Sequence, residues 1–278
     1  MKELFDQVAF KTSKLTALSY STSFSMGIRL FDRKYREPIY AVYGFVRFAD
    51  EIVDTLTGYD REKLFYEFKD DTYRALKERI STNPILQSFQ QVVHKYRIEE
   101  QLIEQFLKSM EMDLFERKYD RSSFDEYVLG SAEVVGLMCL RIFLEGDEER
   151  YQSLRPYAMK LGAAFQKINF LRDLRADYYH LGRSYFPGVQ LEDFSDKEKM
   201  RLEKEIEDDF AEAYKGIELL PRDVRFGVYL AYIYYYKLFR KIRRSPASMI
   251  MEKRFRISDA RKYLLFTGSY VKFRLGLI

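Results

Sequence analysis

The chain has 278 residues, enough for one large core or two ordinary ones, and its net charge of +4 is too small to imply nucleic acid by itself. With 1 cysteine no internal disulfide can form, and no Ser/Gly/Pro-rich linker, low-complexity tract or fixed-period repeat divides the chain, so one domain over residues 1–278 is the simpler reading. Only 6 prolines and 13 glycines occur, while Leu, Glu, Lys, Arg, Ala and Met recur at helical spacing, which argues against sheet and for an all-α protein. The 23 Tyr and 23 Phe can fill a core or line a cavity for an apolar substrate, and composition leaves both open.

Residues 2–17 read as a first helix beginning MKELFDQ, which carries charge where a signal peptide would be apolar. In YSTSFSMG, Ser19, Ser21, Thr22 and Ser23 can cap the next helix or hold a phosphate at its N-terminus. Pro38 suits the first turn of a helix through YAVYGFVRFADEIVDT, whose polar stripe is Tyr40, Tyr43, Arg47, Asp50 and Asp54. Taken alone, that stripe suits water or an interior equally. Residues 60–80 and 99–118 read as charged, solvated outer helices, with Pro84 starting another between them that places His94 at the surface. Residues 123–145 are apolar around Tyr127, Gly130, Ser131 and Gly136, small residues that let helices or a ligand approach closely. Cys139 sits in that run, which fits a reducing compartment. No run approaches the roughly 18 apolar residues that a membrane span needs. The expectation is a cytoplasmic protein that meets membrane only at its surface.

The stretch Pro156–Pro187 organises the rest. Drawn as a helix, Gln166, Asn169, Asp173 and Asp177 form one stripe, with Lys160, Lys167 and Arg175 opposite. The helix is otherwise apolar, so only one row can face water; we turn the lysines outward and the carboxylates inward. An inward pair of carboxylates repels itself and loses hydration, and therefore needs a cation or a cluster of donors. With the pair at Asp50 and Asp54 facing it across a helical core, the arrangement would hold divalent metal against a polyanion such as diphosphate. Gly182 and Pro187 end the helix and leave Arg183 and Tyr185 in the exit loop. Residues 191–217 are acidic and helical, and Pro221 opens the aromatic helix VYLAYIYYYKLFRKI. Lys237–Lys262 carries ten Lys and Arg against Glu252 and Asp259, which invites an anionic partner, and leads into a last helix from about Ile257.

These motifs resemble, in order and over nearly the whole chain, the squalene and phytoene synthase family, enzymes that join two prenyl diphosphates head to head. The first acidic motif matches RFADEIVD with Arg47, Asp50 and Asp54. The second matches QKINFLRDLRAD with Gln166, Asn169, Arg172, Asp173 and Asp177, followed by Gly182, Arg183, Tyr185 and Pro187. Ser21, Ser23 and Phe24 match the Ser-x-Ser-Phe element, and Tyr127 to Gly136 the tyrosine-led helix. Tyr232, Arg254 and Lys262 fall with family residues near the active site. Three departures stand out: Ala176 replaces a usual Glu, the link from Asp177 to Gly182 is one residue longer, and Glu133 replaces a small residue, its direction left open.

The resemblance implies a helical bundle of the isoprenoid synthase type with a central apolar cavity. Asp50, Asp54, Asp173 and Asp177, with Asn169, would bind Mg²⁺ (Mn²⁺ being an alternative) that bridges to diphosphate. Arg47, Arg172, Arg183, Ser21 and the C-terminal basic residues would neutralise the leaving group. Tyr43, Tyr127 and Tyr232 would steer carbocations through a cyclopropyl diphosphate intermediate, and Phe24 would help exclude water. Proton loss would give phytoene from geranylgeranyl diphosphate, or dehydrosqualene from farnesyl diphosphate; hydride from NADPH would give squalene. We lean to phytoene. A di-iron carboxylate bundle would require two Glu-x-x-His motifs, and with 2 histidines in the chain the nearest approach is Asp177 with His180. A helical adaptor docked on anionic membrane would use the basic C-terminal segment but leaves both aspartate pairs unexplained.

Overall fold

The computed structural model describes residues 1–116, 118–188 and 194–276, and among them the chain is helical throughout, with one isolated bridge between Lys118 and Ser184. In chain order the helices are α1 (Lys2–Tyr20), α2 (Thr22–Arg29), α3 (Arg33–Asp54), α4 (Arg61–Glu78), α5 (Pro84–Tyr96) and α6 (Glu100–Phe115). Then come α7 (Arg121–Val128), α8 (Val134–Leu144), α9 (Glu148–Ala176), α10 (Asp196–Leu219), α11 (Arg222–Arg243), α12 (Ala247–Glu252) and α13 (Asp259–Arg274). A wider π-helical turn, Leu129–Glu133, joins α7 to α8, and a second, Asp177–Leu181, extends α9.

Side-chain caps fix most of the starts by accepting orphaned amide protons. Asn83 accepts from the Ile85 amide at 3.0 Å with Pro84 at the first position, as the sequence predicts. Asp32 accepts from Lys34 at 3.1 Å and Asp147 from Arg150 at 3.1 Å. Those two caps move helix starts upstream of the expected prolines: Pro38 lies inside α3 and Pro156 inside α9. Each proline removes one internal hydrogen bond, a loss the capped and buried remainder of a long helix tolerates. The basic segment contains the short helix α12, which was not anticipated, and the last helix starts at Asp259.

α6 is not a solvated outer helix. Leu102, Ile103, Phe106, Leu107 and Met110 are buried, and its charges occupy the remaining edge. Phe106 meets Phe45 of α3 at 5.3 Å between ring centroids, and Phe45 stacks on Phe89 of α5 at 3.9 Å, so α3, α5 and α6 share one aromatic core. The contact of α9 with the π-helical turn before α8 depends on Gly162, where a Cβ would come within 2.5 Å of the Ala132 carbonyl oxygen. Arg121–Leu144 is one helical stretch long and apolar enough to cross a membrane, against expectation from the runs, but 67% of that window is buried inside the protein, as in a core helix.

Candidate active site

A cavity of about 310 Å³ opens between α2, α3, α8, α9, α10 and α11. Its wall is almost wholly apolar, and Tyr43, Gln166, Asn169 and Tyr235 are among its few polar groups. α3 and α9 both lead from the cavity toward its acidic end: Tyr43 and Val46 precede Asp50, and Gln166 and Asn169 precede Asp173. At 1.5 Å of rise per residue, Leu154 in the cavity wall stands roughly 28 Å along α9 from Asp173.

Both aspartate pairs therefore lie in the last turns of their helices, where the backbone dipole is negative, and α3 has no basic residue in its last turn. Burial, then the Asp54 charge, pushes the Asp50 carboxyl up to about 7. Burial, then the Asp173 and Asp54 charges, pushes Asp177 up to about 8. Asp54 thus acts on carboxylates of both helices, and the two pairs share one field. Asp173 differs. Burial would raise it, but Arg172, at 3.1 Å from Nε, and Arg254, at 2.5 Å from Nε, outweigh burial and hold it below the usual carboxylate range.

Arg47 bonds Asp50 and Glu51 on its own helix, and its guanidinium lies 4.4 Å from the centre of the Tyr20 ring. Arg183 is 1% exposed, and its Nη1 donates to Asp54 Oδ1 at 2.5 Å. The extra residue between Asp177 and Gly182 is absorbed by the π-helical turn, since a π turn accommodates one more residue than an α turn. Gly182, at φ +66°, then turns the chain so that the Arg183 amide bonds the Asp177 carbonyl at 3.0 Å.

Ser21 caps α2, accepting from the Phe24 amide at 3.2 Å, while Ser23 is half-buried in its first turn. Phe24 forms cavity wall against Tyr235 at 5.9 Å, and Lys262 Nζ reaches Thr22 Oγ1 at 3.5 Å. The C-terminal basic segment thus folds back over the mouth at two points, Arg254 and Lys262. Tyr127 and Tyr185 are buried beside the mouth rather than in the cavity wall, and both donate to Asp113, at 2.5 Å and 2.9 Å.

Tyr232 does not face the cavity. Its ring packs on Phe210 of α10 at 5.4 Å and on Tyr236, because aromatics surround α11 and cavity-facing positions fall at Val228, Ala231 and Tyr235. Tyr235 takes that place: it stacks on Phe165 at 4.0 Å and its hydroxyl donates to Asn169 Oδ1 at 3.3 Å. The basic face of α9 is only partly in water: Lys160 and Arg175 are exposed, as expected, but Lys167 is not. Lys167 is 6% exposed and bonds Asp209 at 2.7 Å and Glu205 at 2.5 Å on α10, and Lys160 bonds Asp209 at 2.9 Å. Glu133 belongs to this network: it lies outside the cavity lining, and burial, then countered by Lys160 and Lys167, leaves it pushed up to about 7.

Sequence reasoning missed Asp113. It lies in α6 on the stripe of Leu102, Phe106 and Met110, and an aspartate on an apolar stripe was the available signal. Burial pushes its carboxyl up to about 6 against the pull of Arg183.

Helices packed around an apolar cavity, with aspartate pairs from two of them at one end, give the fold of the isoprenoid synthase type. A family model described as squalene/phytoene synthase matches residues 18–261, and the chain belongs to that family. It is 27% identical over 276 residues to phytoene synthase 1, chloroplastic, of Solanum lycopersicum, a match covering 91% of this chain and 65% of that one. It is 29% identical to the presqualene diphosphate synthase of Rhodopseudomonas palustris, covering 63% of this chain and 61% of that one. The matches thus span less than two thirds of the length of both relatives. The crystal structure of a dehydrosqualene synthase superposes with a TM-score of 0.82 at 22% identity, covering 97% of this chain and 98% of that one. A squalene synthase from Alicyclobacillus acidocaldarius gives 0.74 at 22% identity, covering 86% and 94%. At these identities the structures speak for the fold.

Proposed function

We propose that this protein condenses two prenyl diphosphates head to head, joining two geranylgeranyl diphosphates into phytoene through a cyclopropyl diphosphate intermediate, with release of two diphosphates and a proton. One observation carries the reading: aspartate pairs from α3 and α9 share a field at the mouth of an apolar cavity. Relatives named phytoene synthase support the choice of product.

The donor set fits Mg²⁺. Asp50, Asp54, Asp173 and Asp177 with the Asn169 amide offer hard oxygen ligands, and Mn²⁺ accepts the same donors. Among the described residues no three His, Cys, Asp or Glu side chains are gathered closely enough to hold a metal by themselves, so substrate phosphate and water would have to complete the coordination. When bound, Mg²⁺ would neutralise diphosphate and ease ionisation of the allylic carbon–oxygen bond. Arg47, Arg172, Arg183 and Arg254 would take part of the leaving charge, Ser21 and Lys262 flanking them. Tyr43 and Tyr235 would offer ring faces to the cation, and Phe24 and Phe165 would exclude the water that would trap it as an alcohol. NADPH is required only in a squalene-forming reaction.

The test is incubation with geranylgeranyl or farnesyl diphosphate, with and without Mg²⁺ and NADPH, followed by extraction of the hydrocarbon. A C40 hydrocarbon with a conjugated triene at its centre, formed with Mg²⁺ alone, is expected. A C30 product, NADPH-dependent or not, would reassign the chain to squalene or dehydrosqualene synthesis; no hydrocarbon from either substrate would remove the reading.

We further propose a cytoplasmic site of action with peripheral membrane contact through α13. Leu264, Val271 and Leu275 lie on one face at 72%, 55% and 68% exposure, flanked by exposed Arg261, Lys272 and Arg274, which suits an anionic lipid surface. Flotation with phosphatidylglycerol vesicles checks this, and loss of flotation in Leu264→Glu is the expected control.

A further inference from the structure

A buried carboxylate sits behind the mouth, on a helix that contributes nothing to the cavity wall. Asp113 of α6 is 1% exposed. Its oxygens accept from Tyr127 at 2.5 Å, Tyr185 at 2.9 Å and Tyr119 at 3.4 Å, and the Arg183 Nη1 lies 3.3 Å away. Arg183 is therefore held from several sides: Nη2 donates to the Asp113 carbonyl at 2.7 Å and the Val53 carbonyl at 3.2 Å, and Nη1 to Asp54 Oδ1 at 2.5 Å.

The consequence is electrostatic. A guanidinium buried against a single carboxylate would form a closed ion pair, and a cation would have to break that pair to reach the same oxygens. With a second carboxylate behind it, the positive charge of Arg183 is divided, and Asp54 keeps negative charge to direct at the mouth. The tyrosine hydroxyls fix the Asp113 carboxylate, and through it the plane of the guanidinium.

We propose that Asp113 is a positioning residue of this site: through Arg183 it orients Asp54 and leaves it able to bind a divalent cation with diphosphate. The inference rests on the proposed diphosphate site. Groups placed behind metal ligands in this way are worth 10- to 100-fold in metal affinity.

Calorimetric titration of inorganic diphosphate into the protein with Mn²⁺ reads this without turnover. Asp113→Asn keeps the shape and acceptor oxygen and loses the charge; binding should weaken about 10- to 100-fold. In an Asp54→Asn background the further change Asp113→Asn should have almost no effect, since the residue it acts through is gone. A merely structural role would lower thermal stability and leave binding per folded molecule equal to wild type. Should Asp113→Asn fail to fold, Arg183→Lys carries the same test, because Lys keeps the charge but cannot engage both carboxylates in fixed geometry; binding equal to wild type in that variant overturns the inference. Equal affinity in Asp113→Asn overturns it as well, as does a full additive loss in the double variant. If wild type itself binds no diphosphate with Mn²⁺, the site reading fails and the inference falls with it.

Discussion

The two charged faces of α9, one cationic and one acidic, behave oppositely. Toward α10, Lys167 is buried between Asp209 and Glu205, so each charge has a partner. Toward the mouth, Asp177 meets Asp173 and Asp54 and is pushed up to about 8. Burial is common to both faces, but at the mouth compensation is partial: Arg172 and Arg254 hold Asp173, whereas burial and the neighbouring carboxylates prevail at Asp177. A buried charge with its counter-charge supports the packing of helices, whereas buried like charges store a demand for a cation from outside.

The largest effects are expected at the acidic end, where α3 and α9 bring their aspartates together. Asp173→Asn or Asp50→Asn should reduce turnover by at least about 10³-fold, a loss on the order of 4 kcal/mol in transition-state stabilisation, with the helical circular dichroism unchanged. Full activity in either variant would take that residue out of the chemistry. Next comes the compensated face. Lys167→Met leaves Asp209 with Lys160 and Glu205 with Arg121, so it removes two charged hydrogen bonds without stranding either carboxylate and should cost about 1.5–3 kcal/mol in urea unfolding, with turnover per folded molecule retained; a loss of turnover at unchanged stability would reverse the roles of the two faces. Glu133 lies at the edge of that network, its carboxyl raised from 4.5 to about 7. A raised acid stabilises fully below its unfolded pKa, so the stability it supports is complete below pH 4.5 and is lost as pH rises through 7. Melting temperature should fall across that window by an amount corresponding to roughly 2 kcal/mol, and Glu133→Gln should flatten the profile. Parallel profiles would mean that water reaches the carboxyl. Smallest is Lys160→Ala: Asp209 keeps Lys167, and the half-exposed pair should be worth under about 1 kcal/mol.

Much of the site was legible because it is periodic. Asn169, Asp173 and Asp177 repeat at helical spacing on an otherwise apolar helix, and the exit from Gly182 to Tyr185 is marked by glycine and proline. Lys167 misled for a physical reason: spacing shows that two rows are opposed, but not whether an acidic helix such as α10 covers part of one of them. Tyr232 misled because α11 is aromatic on every side, so no stripe separates it from Tyr235. Asp113 was hidden in a helix whose total charge suggested solvent, although its own neighbours on that face are apolar. Neither π-helical turn has a sequence signature; one shows itself as an extra residue before Gly182.

The distance along α9 between Leu154 and Asp173 has a consequence for how such a protein can change. The apolar cavity wall at Leu154 and the carboxylate at Asp173 occupy opposite ends of one helix, several turns apart. Substitutions near Leu154 can therefore enlarge or reduce the apolar cavity while the acidic end keeps its geometry, so the two ends are open to separate mutation.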